Sequence, residues 1–324
     1  MDCGQPLIGI AMPYVDEPTI ILGADGFVGR HLVDRWRANG WPVHPVGRAA
    51  GDFTDASVVN SVFASAPRSG RILHTITKQR TGAVQYDIQG ELLAENSRIH
   101  LNVLEAWRRY QPEAKLISLG SSCTYAEAAH PLDESQFGIG SPHPSVRGYA
   151  QAKKTLVVGS ETFGSQYGLR WMHCVLATLF GPRAHVEDQR SHFMAAMIDR
   201  AVRSKRDGLT AFEVWGNPDT TRDLLHVADQ IDAIIAADAA FENTVLNCTP
   251  NAPVTIGACA AAILRALDWD VPIVRPPDSF QGAGYKSIDS TRFLQATSWR
   301  PGLTLEQAVA DVLKSDYQEV SQSQ

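Results

Sequence analysis

A tyrosine and a lysine, Tyr149 and Lys153, stand four residues apart near the middle of the chain. On a helix this spacing places both side chains on one face, with their Cβ atoms about 5–6 Å apart. A phenol ordinarily has a pKa of about 10, and a neighbouring ammonium group lowers that pKa toward neutrality. The pair therefore predicts that Tyr149 is a general acid or base and that Lys153 tunes its proton affinity.

A second cluster of reactive side chains follows the apolar stretch Leu116 to Leu119. Ser121 and Cys123 stand two residues apart there, so an extended backbone would point both toward the same face of a sheet. A thiol has a pKa near 8.5 and an imidazole one near 6.5, so Cys123 and His192 are candidates for moving protons beside a ketone. Two structural roles stay open, a small buried apolar residue for Cys123 and a solvated side chain for His192.

Three glycines at intervals of three residues, Gly23, Gly26 and Gly29, directly follow the β-rich run Thr19 to Leu22. Apolar residues at helical spacing begin within the same run, which predicts a helix whose N-terminus lies at these glycines. Such a turn lets the backbone approach a pyrophosphate, and the helix N-terminus supplies unpaired N–H groups to it. The context therefore predicts a dinucleotide site rather than a plain tight turn.

The residue at the end of the second predicted strand indicates which dinucleotide binds. An NAD site usually has an acidic side chain there, which accepts a hydrogen bond from the ribose 2′-hydroxyl. This chain instead reads Val46-Gly47-Arg48, and the Arg48 guanidinium, together with Arg30, could pair with a 2′-phosphate. NADP(H) is therefore the expected cofactor, with Asp52 as a candidate contact to its adenine.

Short β-rich runs alternate with amphipathic helical stretches from Thr19 onward, which predicts an α/β fold with a Rossmann-type, doubly wound parallel sheet. Helices are expected at Asn96 to Arg109, Tyr149 to Tyr167 and Asp223 to Ala240, and one strand at Trp171 to Leu179. The regularity weakens afterwards, which predicts a smaller α/β lobe that covers the ligand. We expect an N-terminal extension at 1–18, an NADP-binding domain at 19–180 plus 223–249, and a substrate-binding lobe at 181–222 plus 250–324.

The bulk composition excludes several classes of function. The chain has 324 residues and a net charge of −6, with its lysines and arginines scattered, so no nucleic-acid partner is expected. Its apolar stretches are far shorter than the roughly 20 residues of a membrane span, so no membrane insertion is expected either. The 5 cysteines form no CxxC pair and the 10 histidines show no ligand spacing. We therefore expect a reducing, cytoplasmic location and no metal site.

The glycine run, the serine-rich strand end and the Tyr149–Lys153 pair resemble the extended short-chain dehydrogenase/reductases, also called the NAD-dependent epimerase/dehydratase family. The resemblance runs from about Thr19 to past Arg292, and within the family the chain is most similar to the GDP-L-fucose synthase group. Further stretches that carry it are Phe180-Gly181-Pro182, Ser191-His192, Val214-Trp215-Gly216, Arg222 to Val227 and Lys286 to Arg292.

The resemblance implies a role for each matching residue. Ser121 would hydrogen-bond the reacting carbonyl, Tyr149 would donate a proton to the C4 oxygen, and Lys153 would hold the cofactor ribose and tune the phenol. Cys123 and His192 would form the acid–base pair of an epimerisation at C3 or C5. Substrate contacts are implied for Ser122, Arg200, Trp215, Arg222 and Gln281. Cofactor contacts are expected from Gly23, Ala24, Asp25, Gly26, Phe27, Val28, Gly29, Arg48, Asp52, Leu119, Gly120, Tyr149, Lys153, Leu176, Thr178 and Leu179.

The implied activity is an NADPH-dependent epimerisation and reduction of a GDP-4-keto-6-deoxyhexose by a homodimer. Thr178 in place of an asparagine, Phe180 in place of a tyrosine and Gln281 in place of an aspartate depart from the family pattern, so the particular sugar stays open. Two other enzyme activities also stay open, a 4-ketoreductase that does not epimerise and a 4-epimerase of another nucleotide sugar. A catalytically silent NADP-binding sensor is a further alternative, which the intact Tyr149–Lys153 pair disfavours.

Overall fold

A parallel β-sheet forms the centre of the computed structural model, which describes residues 17–80, 84–184, 193–276 and 285–317. The strands are, in chain order, β1 Thr19–Leu22, β2 Val43–Val46, β3 Arg71–His74, β4 Lys115–Ser121, β5 Trp171–Leu176, β6 Thr178–Phe180, β7 Phe212–Glu213, β8 Thr221–Arg222, β9 Leu224–His226, β10 Thr244–Cys248, β11 Val254–Thr255, β12 Ile273–Val274 and β13 Tyr285–Lys286. The helices are α1 Phe27–Ala38, α2 Ala56–Ser65, α3 Val84–Asp87, α4 Gln89–Tyr110, α5 Arg147–Tyr167, α6 Phe193–Arg206, α7 Val227–Ala240, α8 Ile256–Ala266, α9 Thr291–Thr297 and α10 Leu305–Asp316. None of the helices in these residues combines the length and the apolar character needed to cross a membrane.

The large sheet has, within the described residues, six strands in the order β10-β5-β4-β3-β1-β2, and every neighbouring pair is parallel. Because the strands are parallel, their carboxyl ends all lie at one edge, where open α/β sheets bind their ligands. Strands β1 and β3 are buried along their whole length, since helices cover both faces of the sheet. The α/β fold predicted from the sequence is confirmed.

Helices on the two faces of the sheet build separate apolar cores. On one face α1 and α7 contribute Trp36 and Ile234 to a buried cluster. On the other face α2 and α4 contribute Phe63 and Trp107 to a second cluster. Each cluster removes apolar surface from water, which stabilises the fold by roughly 25 cal/mol per Å². The sheet is thereby fixed as a rigid support for the loops at its edges.

A third apolar cluster lies outside the large sheet. Helices α6, α8 and α10 contribute Ile198, Ile263 and Val309 to it. Near this cluster, β8 is the central strand of the short sheet β11-β8-β13. Helix α9 instead packs Phe293 into the cluster of α1 and α7, although the sequence places 250–324 in the smaller lobe. The division into two lobes stays a prediction, but α9 contacts the core of the parallel sheet.

Two elements differ from their predicted extent. The strand expected at Trp171 to Leu179 is interrupted at Ala177, and its second part, β6, pairs with β9 outside the large sheet. The helix expected to begin at Asp223 begins only at Val227, because the preceding residues form β9. The imidazole Nδ1 of His226 then accepts a hydrogen bond of 3.3 Å from a first-turn N–H and caps α7. Apolar periodicity alone carries no signal for either break.

A buried ion cluster joins the sheet to α7 at the edge opposite the strand carboxyl ends. Arg71 and Lys115 begin β3 and β4 and are register partners. Asp238 of α7 lies 2.9 Å from both Arg71 Nη2 and Lys115 Nζ, and all three side chains are 2–3% exposed. Loss of one partner from such a cluster typically costs about 3–5 kcal/mol, because it leaves a buried charge uncompensated. The cluster therefore fixes α7 on the sheet far from the ligand edge.

Candidate active site

A cleft of about 640 Å³ lies at the carboxyl edge of the large sheet. Its walls come from the turn after β1, the segments after β2, β3 and β5, the end of β4 and the first turns of α5. The predicted cofactor contacts that line it are Gly23, Asp25, Gly26, Phe27, Val28, Arg48, Asp52, Leu119, Gly120, Tyr149, Lys153, Leu176, Thr178 and Leu179. Ser121 and Cys123 line the same cleft, so cofactor and catalytic candidates meet at the end of β4.

Two positions of the turn after β1 require glycine. Gly23 has a φ of +85°, which L side chains rarely adopt. A Cβ at Gly29 would lie 2.0 Å from the carbonyl oxygen of Gly23, so a side chain there would push α1 away from β1. Gly29 and Ala24 support the turn and are not among the residues that line the cleft. Gly26 precedes α1 without a side-chain cap, which leaves first-turn N–H groups to an anion. The turn therefore fits a dinucleotide pyrophosphate.

The backbone of the arginine that follows β2, Arg48, is held by the glycine turn. Asp25 Oδ2 accepts a hydrogen bond of 2.6 Å from the backbone N–H of Arg48, whose side chain is exposed and lines the cleft. The other candidate, Arg30, donates to the carbonyl oxygens of Gly26 (3.2 Å) and Asp25 (3.3 Å). Arg30 is thus bound to the backbone of its own turn. Of these two predicted arginines, Arg48 lines the cleft and Arg30 does not.

The tyrosine and the lysine lie on one face of α5, as their spacing predicts. Lys153 Nζ is 5.9 Å from the centroid of the Tyr149 ring, and it donates to the carbonyl oxygen of Leu119 at 2.9 Å. Burial lowers the pKa of Lys153 to about 7. The Lys153 amine is therefore only partly protonated at neutral pH in the cofactor-free chain.

The pKa of Tyr149 moves in the direction opposite to the expected one. Burial of the phenol raises this pKa, the neighbouring Cys123 raises it further, and a hydrogen bond with Thr77 opposes them only in part. The expectation that Lys153 lowers the pKa of Tyr149 is wrong here, because Lys153 is itself desolvated and bound to a carbonyl oxygen. A phenol that keeps its proton at neutral pH is suited to donate it rather than to act as a base.

Ser121 and Cys123 meet because the chain turns, not because they share an extended strand. Strand β4 ends at Ser121, and residues 122–124 form a single turn of 3₁₀-helix. Ser121 Oγ accepts a hydrogen bond of 3.3 Å from the N–H of Cys123, and the Thr124 hydroxyl donates to the Ser121 carbonyl at 2.7 Å. The predicted reason is therefore wrong, although the hydroxyl and the thiol do line one cleft.

The sulfur of Cys123 contacts a cation that the sequence analysis did not select as a site residue. Lys286 Nζ donates to Cys123 Sγ at 2.6 Å. Burial raises the pKa of Cys123, but Lys286, a hydrogen bond with Ser121 and the charge of Arg222 lower it, and the lowering prevails. Lys286 and Cys123 are 163 residues apart, and a single sequence contains no signal that they meet.

A smaller pocket of about 200 Å³ adjoins the cleft and shares Cys123 and Lys286 with it. Two predicted substrate contacts, Ser122 and Arg222, line this pocket. A molecule that occupied both spaces would therefore pass directly over the Cys123 sulfur. The position suits a substrate whose reacting part faces the cofactor cleft.

Two other predicted substrate contacts, Arg200 and Trp215, contact each other. The guanidinium carbon of Arg200 lies 4.3 Å from the centroid of the indole ring, and Trp215 is 62% exposed. Arg200 Nε is buried without a hydrogen-bond partner among the described residues, and an anionic ligand could satisfy it. The remaining predicted residues, His192 and Gln281, lie outside the described residues.

The wall after β3 is the main part of the cleft that the sequence analysis missed. Residues Thr75 to Arg80 line it, and Thr77 reaches Tyr149. Asn96 of α4 holds this wall by accepting from the N–H of Lys78 (2.7 Å) and donating to its carbonyl oxygen (2.9 Å). The position directly after the third parallel strand is the signal that could have found the segment.

Comparisons with known proteins agree with this geometry. The sequence profile described as "NAD dependent epimerase/dehydratase family" matches residues 19–248. "Probable GDP-L-fucose synthase 1" of Oryza sativa subsp. japonica is 26% identical over 303 residues, 91% of this chain and 90% of that protein. The GDP-L-fucose synthase of Escherichia coli K12 is 26% identical over 274 residues, 81% of this chain and 82% of that protein.

Two solved structures share the fold at low sequence identity. A GDP-6-OMe-4-keto-L-xylo-heptose reductase from C. jejuni has a TM-score of 0.83 at 17% identity, over 94% of this chain and 99% of that one. A GDP-L-fucose synthetase from Naegleria fowleri bound to NADP has a TM-score of 0.82 at 19% identity, over 95% of both chains. These two likenesses extend the agreement to nearly the whole chain at the level of the fold.

Replacing the buried lysine should stabilise the cofactor-free protein in a pH-dependent way. The folded-state pKa of Lys153, about 7, lies below its ordinary 10.5, so wild-type stability is lost as the pH falls from 10.5 toward 7. Lys153→Met should therefore raise the free energy of unfolding at pH 7 by up to about 5 kcal/mol, with no gain above pH 10.5. Urea unfolding across this range measures the gain, with exposed Lys314→Met as the control. A gain in stability that does not vary with pH would contradict the lowered pKa of Lys153.

Proposed function

The chain belongs to the NAD-dependent epimerase/dehydratase family, and we propose that it is an NADPH-dependent epimerase and reductase of a GDP-4-keto-6-deoxyhexose. Relatives named GDP-L-fucose synthase support this assignment. The reaction has two halves, proton exchange at C3 or C5 beside a C4 ketone and then reduction of that ketone. The observation that carries the proposal is a thiol paired with a cation beside a protonated phenol at one strand end.

The reduction half needs a hydride and a proton. NADPH supplies the hydride when it is bound in the cleft. Tyr149 donates the proton to the C4 oxygen, and its raised pKa keeps that proton in place until the charge develops. Ser121 at the end of β4 offers a hydroxyl to the same oxygen. The Lys153 ammonium uses one donor on Leu119 and has others for the cofactor ribose.

The epimerisation half needs a base and an acid beside the ketone. A C4 ketone acidifies the protons on C3 and C5, and Cys123 accepts such a proton. His192 is proposed as the partner that delivers a proton to the other face of the ring. Because the thiol and the phenol line one cleft, both halves can act on a sugar that stays bound.

The proposed cofactor is NADP(H) rather than NAD(H). Strand β2 ends at Val46 and is followed by Gly47 and Arg48, so a guanidinium stands where an acidic side chain would receive the ribose 2′-hydroxyl of NAD. The backbone of Arg48 is fixed by Asp25, which leaves its exposed side chain to the ligand. The structure from Naegleria fowleri, which contains NADP, supports this choice.

The proposed substrate is a GDP-linked sugar. Arg222 lines the pocket beside Cys123, and a guanidinium matches the geometry of diphosphate oxygens. Arg200 and Trp215 are not among the residues that line the cleft or the smaller pocket, but the exposed indole and the guanidinium stacked on it offer a flat surface and a charge to a nucleotide. The names of the relatives favour guanosine as the nucleoside.

We also propose that the protein is a cytoplasmic homodimer joined through α4 and α5. These neighbouring helices expose Leu93 (38%), Leu101 (46%), Val158 (57%) and Tyr167 (43%), a set of apolar side chains that a second copy would cover. Cysteines with free thiols, four among the described residues, suit a reducing compartment. If light scattering gives a molar mass in solution equal to that of one chain, the proposed dimer is wrong.

The phenol assignment is tested with NADPH and GDP-4-keto-6-deoxymannose. The wild type should oxidise NADPH in the presence of this sugar, and Tyr149→Phe should be slower by about 10²–10⁴-fold because the positioned acid is lost. Cofactor binding should persist, since the ring remains. Tyr317→Phe makes the same change at the end of α10, at a tyrosine that lines neither the cleft nor the smaller pocket, and should leave the rate unchanged. Near-normal turnover by Tyr149→Phe would refute the role of the phenol.

The cofactor assignment is tested by titrating NADPH and NADH into the wild type and into Arg48→Ala. A charge-assisted pair with a phosphate contributes roughly 1.5–3 kcal/mol, so the wild type should prefer NADPH at least about tenfold. The variant should lose that preference through weaker NADPH binding, while its NADH affinity stays unchanged. Equal affinities in the wild type would show that Arg48 does not meet a phosphate.

A further inference from the structure

The contact between Lys286 and Cys123 joins two parts of the chain in the interior of the site. The ammonium nitrogen lies 2.6 Å from the sulfur, and both residues line the cleft and the adjoining pocket. We propose that Lys286 is a positioning residue that binds the Cys123 sulfur as its anion and thereby makes this cysteine the proton acceptor of the epimerisation. This inference rests on the proposed function and adds a residue to it.

The hydrogen-bonding inventory of the pair favours the anion. An ammonium group has three donors and no acceptor, so the sulfur must be the accepting atom. A neutral thiol is a weak acceptor, whereas a thiolate carries the full charge that the ammonium attracts. A hydrogen bond between the Ser121 side chain and the sulfur also favours the anion. The contact is therefore strongest when the proton has left Cys123.

The position of Lys286 is set by its backbone rather than by a flexible loop. Strands β13 and β8 are parallel neighbours, and Lys286 and Arg222 are register partners. The carboxylate of Asp223 accepts from the Ser287 hydroxyl (2.9 Å) and from the N–H of Ile288 (2.8 Å), directly after Lys286. The N–H of Asp223 donates to the Lys286 carbonyl oxygen at 3.2 Å. Two cations are thus held on adjacent strands beside one sulfur.

The other ionisable groups around the sulfur do not cancel these cations. Tyr149 of α5 and Lys153 behind it line the cleft, and the phenol is held neutral by burial. Among the residues that line the smaller pocket, Glu127 is exposed, and its carboxylate lies 4.0 Å from His143 Nε2. Further ionisable groups that line this pocket are Tyr86, Tyr125, His130 and Tyr285. The charge nearest the sulfur is positive, and it overcomes the burial that would otherwise favour the thiol.

The chemical consequence is a base that is ionised before the substrate arrives. The thiolate forms an S–H bond with the proton from C3 or C5, and the C–H bond breaks. The electron pair of that bond moves onto the C4 oxygen, which faces Ser121 and Tyr149 in the proposed pose. The thiol can later return its proton to carbon. Lys286 exchanges no proton with the sugar in this scheme, so it acts on the reaction only through Cys123.

The titration of the Cys123 thiol tests this role without any substrate. A thiolate absorbs ultraviolet light more strongly than a thiol, so the absorbance difference between wild type and Cys123→Ser, followed with pH, reports on Cys123. An opposite charge at this distance changes a pKa by about 1–3 units. Lys286→Met should therefore reduce the thiolate fraction at neutral pH at least about tenfold, and Lys286→Arg should restore most of it. Each Lys286 variant is compared with its own Cys123→Ser double variant.

Two further variants separate charge from structure. Lys286→Gln keeps a hydrogen-bond donor without the charge and should behave like Lys286→Met, provided that circular dichroism shows both to be folded. Lys78→Met removes another cleft lysine, one that pairs with Glu95, and should leave the Cys123 titration unchanged. An unchanged titration in Lys286→Met or Lys286→Gln would overturn the proposal. If the wild-type thiolate behaves as described but no keto sugar is epimerised, the proposed function fails while the pairing with Lys286 stands.

Discussion

Burial of ionisable groups at the end of β4 is the constraint on which the site depends. Low solvent access penalises every charged form, so it raises the pKa of Tyr149 and lowers that of Lys153 to about 7. Cys123 is the exception, because Lys286 and Arg222 place positive charge beside its sulfur. Burial of the phenol and positive charge beside the sulfur thus produce a proton donor and a proton acceptor from two groups that are both protonated in water at neutral pH.

The parallel sheet explains why these groups meet. Its strands all end at one edge, and the turn after β4 brings Ser121 and Cys123 to the cofactor cleft. The short sheet that contains β8 and β13 brings Arg222 and Lys286 to the same place from a distant part of the chain. The cleft and the smaller pocket therefore share the sulfur and its cation. The residues that line the cleft and those that line the smaller pocket are thus different sets, which share Cys123 and Lys286.

Local signals in the sequence predicted the parts of the site that a few consecutive residues define. The glycine turn and the Tyr149–Lys153 face follow from spacing alone, because a turn and a helix are local structures. The Lys286–Cys123 contact was not predictable, since it depends on how a two-residue strand pairs far along the chain. The direction of the Tyr149 pKa was also missed, because the spacing of residues does not reveal how strongly each is desolvated.

Incorporation of deuterium from the solvent into the sugar tests most directly whether Cys123 removes and returns protons at C3 or C5. The protein is incubated with GDP-4-keto-6-deoxymannose in deuterated water without NADPH, so that reduction cannot intervene. The account predicts deuterium at C3, at C5 or at both, and none with Cys123→Ser, because a serine hydroxyl is too weak a base at neutral pH. A wild type that reduces this sugar with NADPH but incorporates no deuterium would contradict the account and identify a 4-ketoreductase that does not epimerise.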